Sequence, residues 1–388
     1  MFSFFSPHAI YFGRGQSRKA SAFAKTYGNS ILIVHGSNAS RAEWLVTSCR
    51  DAGLMTTTLS CQNEPSLPDI EFALRQIKGV VPDVVIGLGG GSVIDFAKAM
   101  AALIPCEGRP SDYLEVVGNG RSLEHDPIPM IALPTTAGTG AEVTKNAVIS
   151  VPEHGLKVSL RDPRIVPKIA IVDPGLMQGA PRRVALAAGL DAITQVIEPY
   201  FSVKANPMTD ALCHAAIPIG LKVLRDLVEN DAPDAWDRMA WVSTCGGLAL
   251  ANAGLGAVHG FAGVIGGKTN APHGEICGVL LPAVLKAHLA KSKPETNERR
   301  RLDWVIGHID THFADGKSGA GLSKMEIWSR KQGLRTLEQM GLIPEDHSEV
   351  ARQTVNTSSM KGNPFTMSQD ELLQVLQHYG ANSPNKVI

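Results

Sequence analysis

Two kinds of hydrophobic pattern divide this sequence near its middle. In the first half, short apolar runs rich in β-branched residues end at glycine or proline and alternate with segments of helical periodicity, such as 41–52 and 94–103. Such runs predict buried strands. The four clearest runs are residues 30–36, 83–89, 129–134 and 170–174. Because strands and helices alternate along the chain, the pattern predicts a parallel sheet covered by helices.

From about Pro181 the pattern changes to long segments rich in alanine and leucine, punctuated by glycine and proline. Apolar residues recur there at helical spacing, and no strand pattern follows Asp173. The predicted helices are residues 184–201, 207–230, 236–253, 275–291, 324–340 and 369–379. The sequence therefore predicts two domains. Residues 1–178 form an α/β domain with a parallel sheet, and residues 179–388 form an all-α helical domain.

Composition narrows the class of protein. The 388 residues are 44% hydrophobic and 19% charged, which is typical of a globular chain and excludes a disordered one. The 37 basic and 37 acidic residues cancel, so no global field holds nucleic acid or a membrane, and we expect neither as a partner. No apolar run approaches the ~20 residues of a membrane span. Six scattered cysteines without a CxxC pair predict reduced thiols in a cytoplasmic protein.

A glycine-rich segment, Gly87-Leu88-Gly89-Gly90-Gly91-Ser92, follows the second predicted strand and opens a helix. Glycines let backbone N–H groups approach an anion closely, and the helix N-terminus adds a favourable dipole. The segment lacks the Gly-Lys-Ser/Thr of a Walker motif, and it is not a full GxGxxG. It predicts a pyrophosphate site. The alternative is a turn in which Ser92 is the helix N-cap and Asp95 completes a capping box.

A second polar loop, residues 134–144 (PTTAGTGAEVT), follows the third predicted strand. Its threonine hydroxyls and glycine backbone would complete a dinucleotide-binding crevice at the same edge of the sheet. A plain turn rich in threonine and glycine is the alternative.

The helical half contains candidate metal ligands. Asp191 and Gln195 are four residues apart on one face of a predicted helix, in an apolar sequence where an unpaired carboxylate would be costly. His259 and His273 lie beside glycine and proline and can converge with Asp191 on Zn or Fe(II). The alternative is that both histidines are ordinary structural residues. Cys277 is close to His273 and can line the same site or be a buried thiol.

In this order, these motifs resemble the iron-containing (group III) alcohol dehydrogenase family, within the dehydroquinate synthase-like fold. The resemblance runs from Tyr11-Phe12-Gly13-Arg14-Gly15 to Ser359-Met360-Lys361-Gly362-Asn363-Pro364 and covers nearly the whole chain. It implies an N-terminal nucleotide-binding domain, a C-terminal helical domain that carries the metal, and a site in the cleft between them.

The resemblance also implies residue roles. The chain would be an NAD(P)-dependent, metal-dependent alcohol dehydrogenase or aldehyde reductase that transfers a hydride between cofactor and substrate. The implied cofactor-binding residues are Gly89, Gly90, Gly91, Ser92, Asp95, Thr135, Thr136, Thr139, Thr144, Asn146 and Lys157. The implied metal ligands are Asp191, Gln195, His259 and His273, and the catalytic residues are Asp191, His259 and His273.

Three positions depart from the usual family pattern. Gln195 stands in place of a histidine ligand, and Gly263 stands where many members carry another active-site histidine. After the first predicted strand the chain has Gly36, Ser37 and Asn38, with Arg41 nearby, where many NAD-preferring members have aspartate. Without that carboxylate a 2′-phosphate is not repelled, so we expect a preference for NADP(H).

Two other functions stay open. Gln195 favours a metal-independent keto-acid reductase similar to maleylacetate reductases. A non-catalytic nucleotide-binding module is the other, and the intact Asp191, His259 and His273 argue against it. The sequence also predicts a homodimer, because Phe2, Phe4 and Phe5 would form an apolar patch that is costly on a monomer.

Overall fold

The computed structural model describes residues 1–269 and 271–381, which form two compact units. The first is Ser3–Gly179, and the second holds the described residues from Ala180 onward together with Met1 and Phe2. The first unit is built on a six-stranded parallel sheet and a two-stranded hairpin. The strands are β1 (Ala9–Phe12), β2 (Ser30–Gly36), β3 (Met55–Cys61), β4 (Val84–Gly89), β5 (Met130–Pro134), β6 (Asn146–Val151), β7 (Leu156–Arg161) and β8 (Ile169–Val172). The sheet order is β1-β8-β5-β4-β2-β3, and β6 pairs with β7 in antiparallel fashion.

Helices cover both faces of this sheet. They are α1 (Ala20–Lys25), α2 (Glu43–Asp51), α3 (Leu67–Gln76) and α4 (Gly91–Leu103). Alternate residues of β2 show the two faces, since Ile31 and Ile33 pack in the core with α1 and α2. Leu32 and Val34 pack in the other core, with α3 and α4. A strand buried on both faces needs a continuous apolar run, which explains why β2, β4 and β5 were readable from the sequence.

The order of the strands brings three loops to one edge of the sheet. From β2 the chain adds β3 on one side and then returns to place β4 on the other side of β2. His35 is opposite Leu88, and Gly89 is opposite Pro134, so the carboxyl ends of β2, β4 and β5 are level. Such a reversal of strand order is where open α/β sheets bind ligands.

The sequence patterns missed four strands. β1 and β3 are the two edges of the sheet. β1 (AIYF) is only four residues long and alternates partly buried with exposed residues, and β3 (MTTTLSC) contains three threonines and is only partly buried. The hairpin of β6 and β7 alternates buried and partly exposed residues. These strands gain their order from pairing with neighbours, which a search for apolar runs does not detect.

In the described part of the second unit, every regular element is helical, as expected. The α-helices are α5 (Arg182–Phe201), α6 (Pro207–Asn230), α7 (Pro233–Ala253), α8 (Ala257–Thr269), α9 (His273–Lys291), α10 (Asn297–Phe313), α11 (Gly321–Lys331), α12 (His347–Val355) and α13 (Gln369–Ala381). α5 is central, because it packs against α6, α7 and α9 and is buried over most of its length.

One predicted helix is wrong in its extent. The segment 324–340 does not form one helix, because α11 ends at Lys331 and Gly333 follows with a φ of +101°. That left-handed conformation favours glycine and ends a helix. Among the described residues, no single helix is long and apolar enough to cross a membrane. Only α7 and α8 taken together, with a bend of 98° between them, reach that length and composition.

Candidate functional site

The glycine-rich loop joins β4 to α4. Gly90 is the N-cap residue of α4 in an extended conformation, and no side chain caps this helix. The alternative interpretation, in which Ser92 is the N-cap and Asp95 completes a capping box, is therefore wrong. Asp95 instead accepts a hydrogen bond from the backbone N–H of Val148 in the hairpin, at 3.0 Å. An N-terminus without a side-chain cap leaves its first N–H groups to other partners, and an anion is the favoured one.

The two predicted loops lie against each other. A Cβ atom at Gly91 would be 2.8 Å from Oγ1 and Cγ2 of Thr139, and one at Gly90 would be 3.2 Å from Cγ2 of Thr136. The Thr135 N–H donates to the carbonyl of Gly89 at 2.9 Å. Any larger residue at 91 would displace the Thr139 side chain. The glycines therefore let backbone and threonine hydroxyls converge on one small space.

The other predicted cofactor-binding residues lie on neighbouring elements, and each has its own contacts. A Cβ at Gly36 would lie 3.9 Å from Cγ2 of Val93, so the end of β2 is beside the start of α4, and Ser37 is exposed. Lys157 forms an ion pair with Glu64. Thr144 and Asn146 are both held by a lysine that the sequence reading missed.

That residue is Lys98, which is completely buried in α4. Its Nζ donates to Thr144 Oγ1 at 2.6 Å and to the Asn146 carbonyl at 2.9 Å, and it is 3.6 Å from Asp95 Oδ1. Burial lowers the pKa of Lys98, although Asp95 and Glu142 oppose that effect. A lysine among apolar residues of a helix was the only sequence signal for this contact.

In the helical unit, Asp191, His259, His273 and Cys277 form one cluster. Asp191 comes from α5, His259 from α8, and His273 and Cys277 from α9. One ligand atom from each residue lies within 4.8 Å of all the others. His259 Nε2 is 3.5 Å from Asp191 Oδ1, and His273 Nε2 is 3.7 Å from the same oxygen. The structure thus brings together Asp191, His259 and His273 of the predicted metal ligands.

Close packing of α5 against α9 positions this cluster. A Cβ at Gly274 would be 2.3 Å from the carbonyl oxygen of Ala187, and one at Gly278 would be 2.4 Å from Cδ1 of Leu190. Neither position has room for a side chain. The two glycines therefore let the backbones approach, and His273 and Cys277 face Asp191 as a result.

Glu198 is a further residue of this site that the sequence reading did not assign. Its Oε2 accepts from Nδ1 of His259 at 2.6 Å, and its Oε1 accepts from the backbone N–H of Val258 at 2.6 Å. The Asn363 side chain accepts from the N–H of Ala257 at 3.1 Å. These two side chains cap α8, and Glu198 leaves Nε2 of His259 facing Asp191. Its spacing in the sequence could have indicated this role, because Glu198 follows Asp191 by two helical turns and lies on the same face of α5.

Charge in the cluster favours a cation. Burial alone would lower the pKa of His259, but Asp191 and Glu198 outweigh it and raise that pKa to about 9. Burial would raise the pKa of Asp191, yet His273 and His259 hold it below its ordinary value. Burial and the Asp191 carboxylate raise the pKa of the Cys277 thiol well above its usual range.

The residues fit a divalent metal ion. Asp191 Oδ1 and His259 Nε2 are buried without a hydrogen-bond partner, and such atoms in native proteins normally have one. Donors that share an ion at 2.0–2.3 Å in a tetrahedral site are roughly 3.3–3.8 Å apart, as these distances are. Gln195 is buried one turn after Asp191 on α5 and packs against Gly246 of α7, where a Cβ atom would be 3.4 Å from the Gln195 Cβ.

Comparison with known proteins places the chain in one family. The family of iron-containing alcohol dehydrogenases matches residues 7–174, and its C-terminal domain matches residues 185–380. A probable alcohol dehydrogenase EutG of Escherichia coli (strain K12) is 33% identical over 96% of this chain and 93% of its own length. An NAD-dependent methanol dehydrogenase of Bacillus methanolicus is 29% identical over 97% of this chain and 100% of its own.

A solved structure agrees with these relatives. The alcohol dehydrogenase from Oenococcus oeni superposes with a TM-score of 0.87 at 27% identity, over 98% of this chain and 100% of that one. Both halves of the sequence, the fold and the full-length relatives agree, so the chain belongs to the iron-containing alcohol dehydrogenase family.

Proposed function

We propose that this chain is a metal-dependent, NAD(P)-dependent alcohol dehydrogenase or aldehyde reductase whose metal is held by Asp191, His259 and His273. As a member of its family it is an oxidoreductase that acts on alcohols or aldehydes. One observation carries the metal site. Two unpartnered buried atoms, Asp191 Oδ1 and His259 Nε2, face each other beside His273.

Each residue of the metal site has its own part. Fe(II) or Zn bound there would supply Lewis acidity to a substrate oxygen. Asp191 supplies the negative charge, and Glu198 holds His259 so that Nε2 faces Asp191. His273 is the more exposed imidazole, with 36% of its side chain accessible, so this is the side from which a substrate would enter.

The first unit would bind the dinucleotide. Gly89, Gly90, Gly91 and Ser92 would hold the pyrophosphate with their N–H groups at the start of α4. Thr135, Thr136 and Thr139 would add hydroxyls from the second loop. Asp95, Thr144, Asn146 and Lys157 would shape the rest of the pocket through Lys98 and the hairpin. Hydride transfer itself belongs to the nicotinamide, and these residues position it.

We also propose a preference for NADP(H). Gly36 ends β2 at the edge of the sheet where the predicted cofactor loops lie, and Ser37 follows it. The Asn38 side chain accepts from Ser40 in the turn after the strand. Arg41 is exposed in the same turn. Ser37→Asp should lower kcat/KM with NADPH about tenfold or more through repulsion of the 2′-phosphate, with little loss for NADH. A wild-type enzyme that uses NADH more efficiently would contradict the preference.

We also propose that the chain forms a homodimer and that it is cytoplasmic. β1 is an edge strand with Ile10 and Phe12 exposed, and Phe2 is also exposed, so pairing of these segments would give the homodimer. Sedimentation would detect a dimer. All six cysteines are free and five are buried, which supports a reducing, cytoplasmic setting.

Metal content is the experiment that tests the main proposal. Protein purified without oxygen and without a metal-affinity tag should contain about one iron or zinc per chain, and a chelator should abolish turnover of alcohols or aldehydes. Turnover without metal and without chelator sensitivity would instead support the metal-independent keto-acid reductase, which Gln195 favours. Binding of NAD(P)H without turnover of any carbonyl would indicate a non-catalytic nucleotide-binding module.

A further inference from the structure

Cys277 lies within the cluster of predicted metal ligands, whereas the family pattern implies one aspartate and three histidines. Its Sγ is within 4.8 Å of the ligand atoms of Asp191, His259 and His273. We propose that Cys277, in place of the histidine that Gln195 replaces, is the fourth protein ligand of the metal. The proposal rests on the metal dependence proposed above and names a ligand of that same site.

The backbone fixes Cys277 in this position. His273 and Cys277 are four residues apart on α9, so their side chains share one helical face. Gly274 and Gly278, each next to one of these two residues, are the positions at which α9 meets α5. Cys277 is completely buried there, so its thiol has little freedom to turn elsewhere. The helix contact that presents His273 to Asp191 presents Cys277 as well.

Two further atoms indicate that the cluster holds an ion and not just a buried thiol. Asp191 Oδ1 and His259 Nε2 are fully buried and have no hydrogen-bond partner. They come from α5 and α8, whereas Cys277 comes from α9. Three helices therefore direct ligand atoms to one point, and a cation there satisfies all of them.

The chemistry of the two candidate ligands favours Cys277. As the sulfur–metal bond forms, the thiol proton leaves to solvent and the metal keeps its oxidation state. A thiolate is a strong, soft ligand that suits Zn, whereas the Gln195 amide oxygen is weak and hard. A cysteine at this point thus compensates for the missing histidine.

Cobalt(II) is the probe for this ligand. Wild-type protein loaded with Co(II) should show a sulfur-to-cobalt charge-transfer band in the near ultraviolet, which only a thiolate ligand produces. Cys277→Ser should lose the band and weaken Zn binding at least about 100-fold, more than the loss of an outer contact does. Gln195→Ala should keep the band. The matched control is Cys213→Ser, which alters an equally buried cysteine of α6 and should also keep it.

The outcomes separate this inference from the proposed function. Bound Co(II) without the band, or a band that persists in Cys277→Ser, overturns the role of Cys277 and leaves the metal site intact. A wild-type chain that binds neither Co(II) nor Zn overturns both. If Cys277→Ser does not fold, X-ray absorption of the wild-type zinc protein decides, because one sulfur at about 2.3 Å is expected and its absence refutes the ligand.

Discussion

The two candidate sites of this protein are built in opposite ways. In the α/β unit, consecutive residues of two loops form the site, and backbone N–H groups and glycines at the end of β4 dominate it. In the helical unit, the site is made of side chains from α5, α8 and α9, and partners such as Glu198 and His259 are 61 residues apart. A site made of backbone groups depends on glycines, because a side chain at those positions would block access to the N–H groups. A site made of side chains depends on how the helices that carry them pack.

This difference predicts that the two sites fail independently. Changes in the helical cluster should remove metal and turnover and leave dinucleotide binding unchanged. Changes in the glycine loop should do the reverse. The experiments below test that separation, beginning with the largest expected effect.

His259→Ala should have the largest effect. His259 is a proposed metal ligand, so loss of its imidazole should lower kcat/KM at least about 1000-fold, the equivalent of several kcal/mol of transition-state stabilisation. The Kd for NADPH, measured by fluorescence titration, should change less than about twofold if the sites are separate. His214→Ala, on the exposed face of α6, is the control. Loss of NADPH binding in His259→Ala would show that the sites are coupled.

Glu198→Gln should have the next largest effect, because it leaves every proposed metal ligand in place and alters only the side chain that holds His259. An amide at this position cannot accept the Nδ1–H and the Val258 N–H as a carboxylate does. Metal affinity should fall roughly 10- to 100-fold.

Asn363→Ala separates the two roles of Glu198. It removes the other side chain that caps α8 and touches no ligand. It should lower the melting temperature but not the metal affinity, as measured by competition with a chromophoric chelator. Equal loss of affinity in both variants would mean that Glu198 acts through the helix and not through His259.

Gly91→Ala tests the loop of the α/β unit. The added methyl would lie 2.8 Å from Cγ2 and Oγ1 of Thr139 and 3.2 Å from its Cβ, so the Thr139 side chain must turn or its loop must shift. Overpacking of that kind costs about 1–3 kcal/mol, so the Kd for NADPH should rise roughly tenfold or more while metal content stays constant. Gly307→Ala is the matched control, since its Cβ meets nothing within 4 Å and it lies on the exposed face of α10. Metal loss in Gly91→Ala would contradict separate sites.

The smallest expected effect is a pH dependence of stability in the helical unit. Burial lowers the pKa of His288 to about 4, against the pull of Glu198 and Asn363, and Lys291 adds to the lowering. The unfolded chain takes up this proton near pH 6.5 but the folded chain does not until about pH 4, so stability is lost as pH falls between them. His288 should contribute a loss of about 1–2 kcal/mol between pH 7 and pH 5, measured as the difference between wild type and His288→Leu in denaturant titrations. His288→Leu should lose less, and an unchanged pH slope would refute the assignment.

The sequence predicted the strands that helices cover on both faces of the sheet, and it missed the strands at the edges of the sheet. The runs that became β2, β4, β5 and β8 are apolar because helices cover both faces of the sheet. β3 is threonine-rich and half exposed, and its strand structure comes from pairing with β2. The break at Gly333 was missed because helical periodicity continues in the residues beyond it.

The residues of the candidate sites also differ in how well the sequence predicts them. The glycine loop was readable because its residues are neighbours in the chain. Lys98 and Glu198 were missed because each contacts residues distant in sequence, Lys98 with Thr144 and Glu198 with His259. The capping box at Ser92 and Asp95 was a sound local prediction, but the hairpin supplies Asp95 with another partner.

The sequence by itself determined the family, the division into an α/β and a helical half, and the residue types able to bind a dinucleotide and a metal. Those features follow from apolar periodicity and from short motifs, which are local properties of the chain. The tertiary structure decided which candidates meet. Contact of α5 with α9 at Gly274 and Gly278 sets Asp191, His273 and Cys277 together, and the cap on α8 turns His259 toward them. Ligand geometry is a property of helix packing, and packing depends on contacts between residues far apart in the sequence.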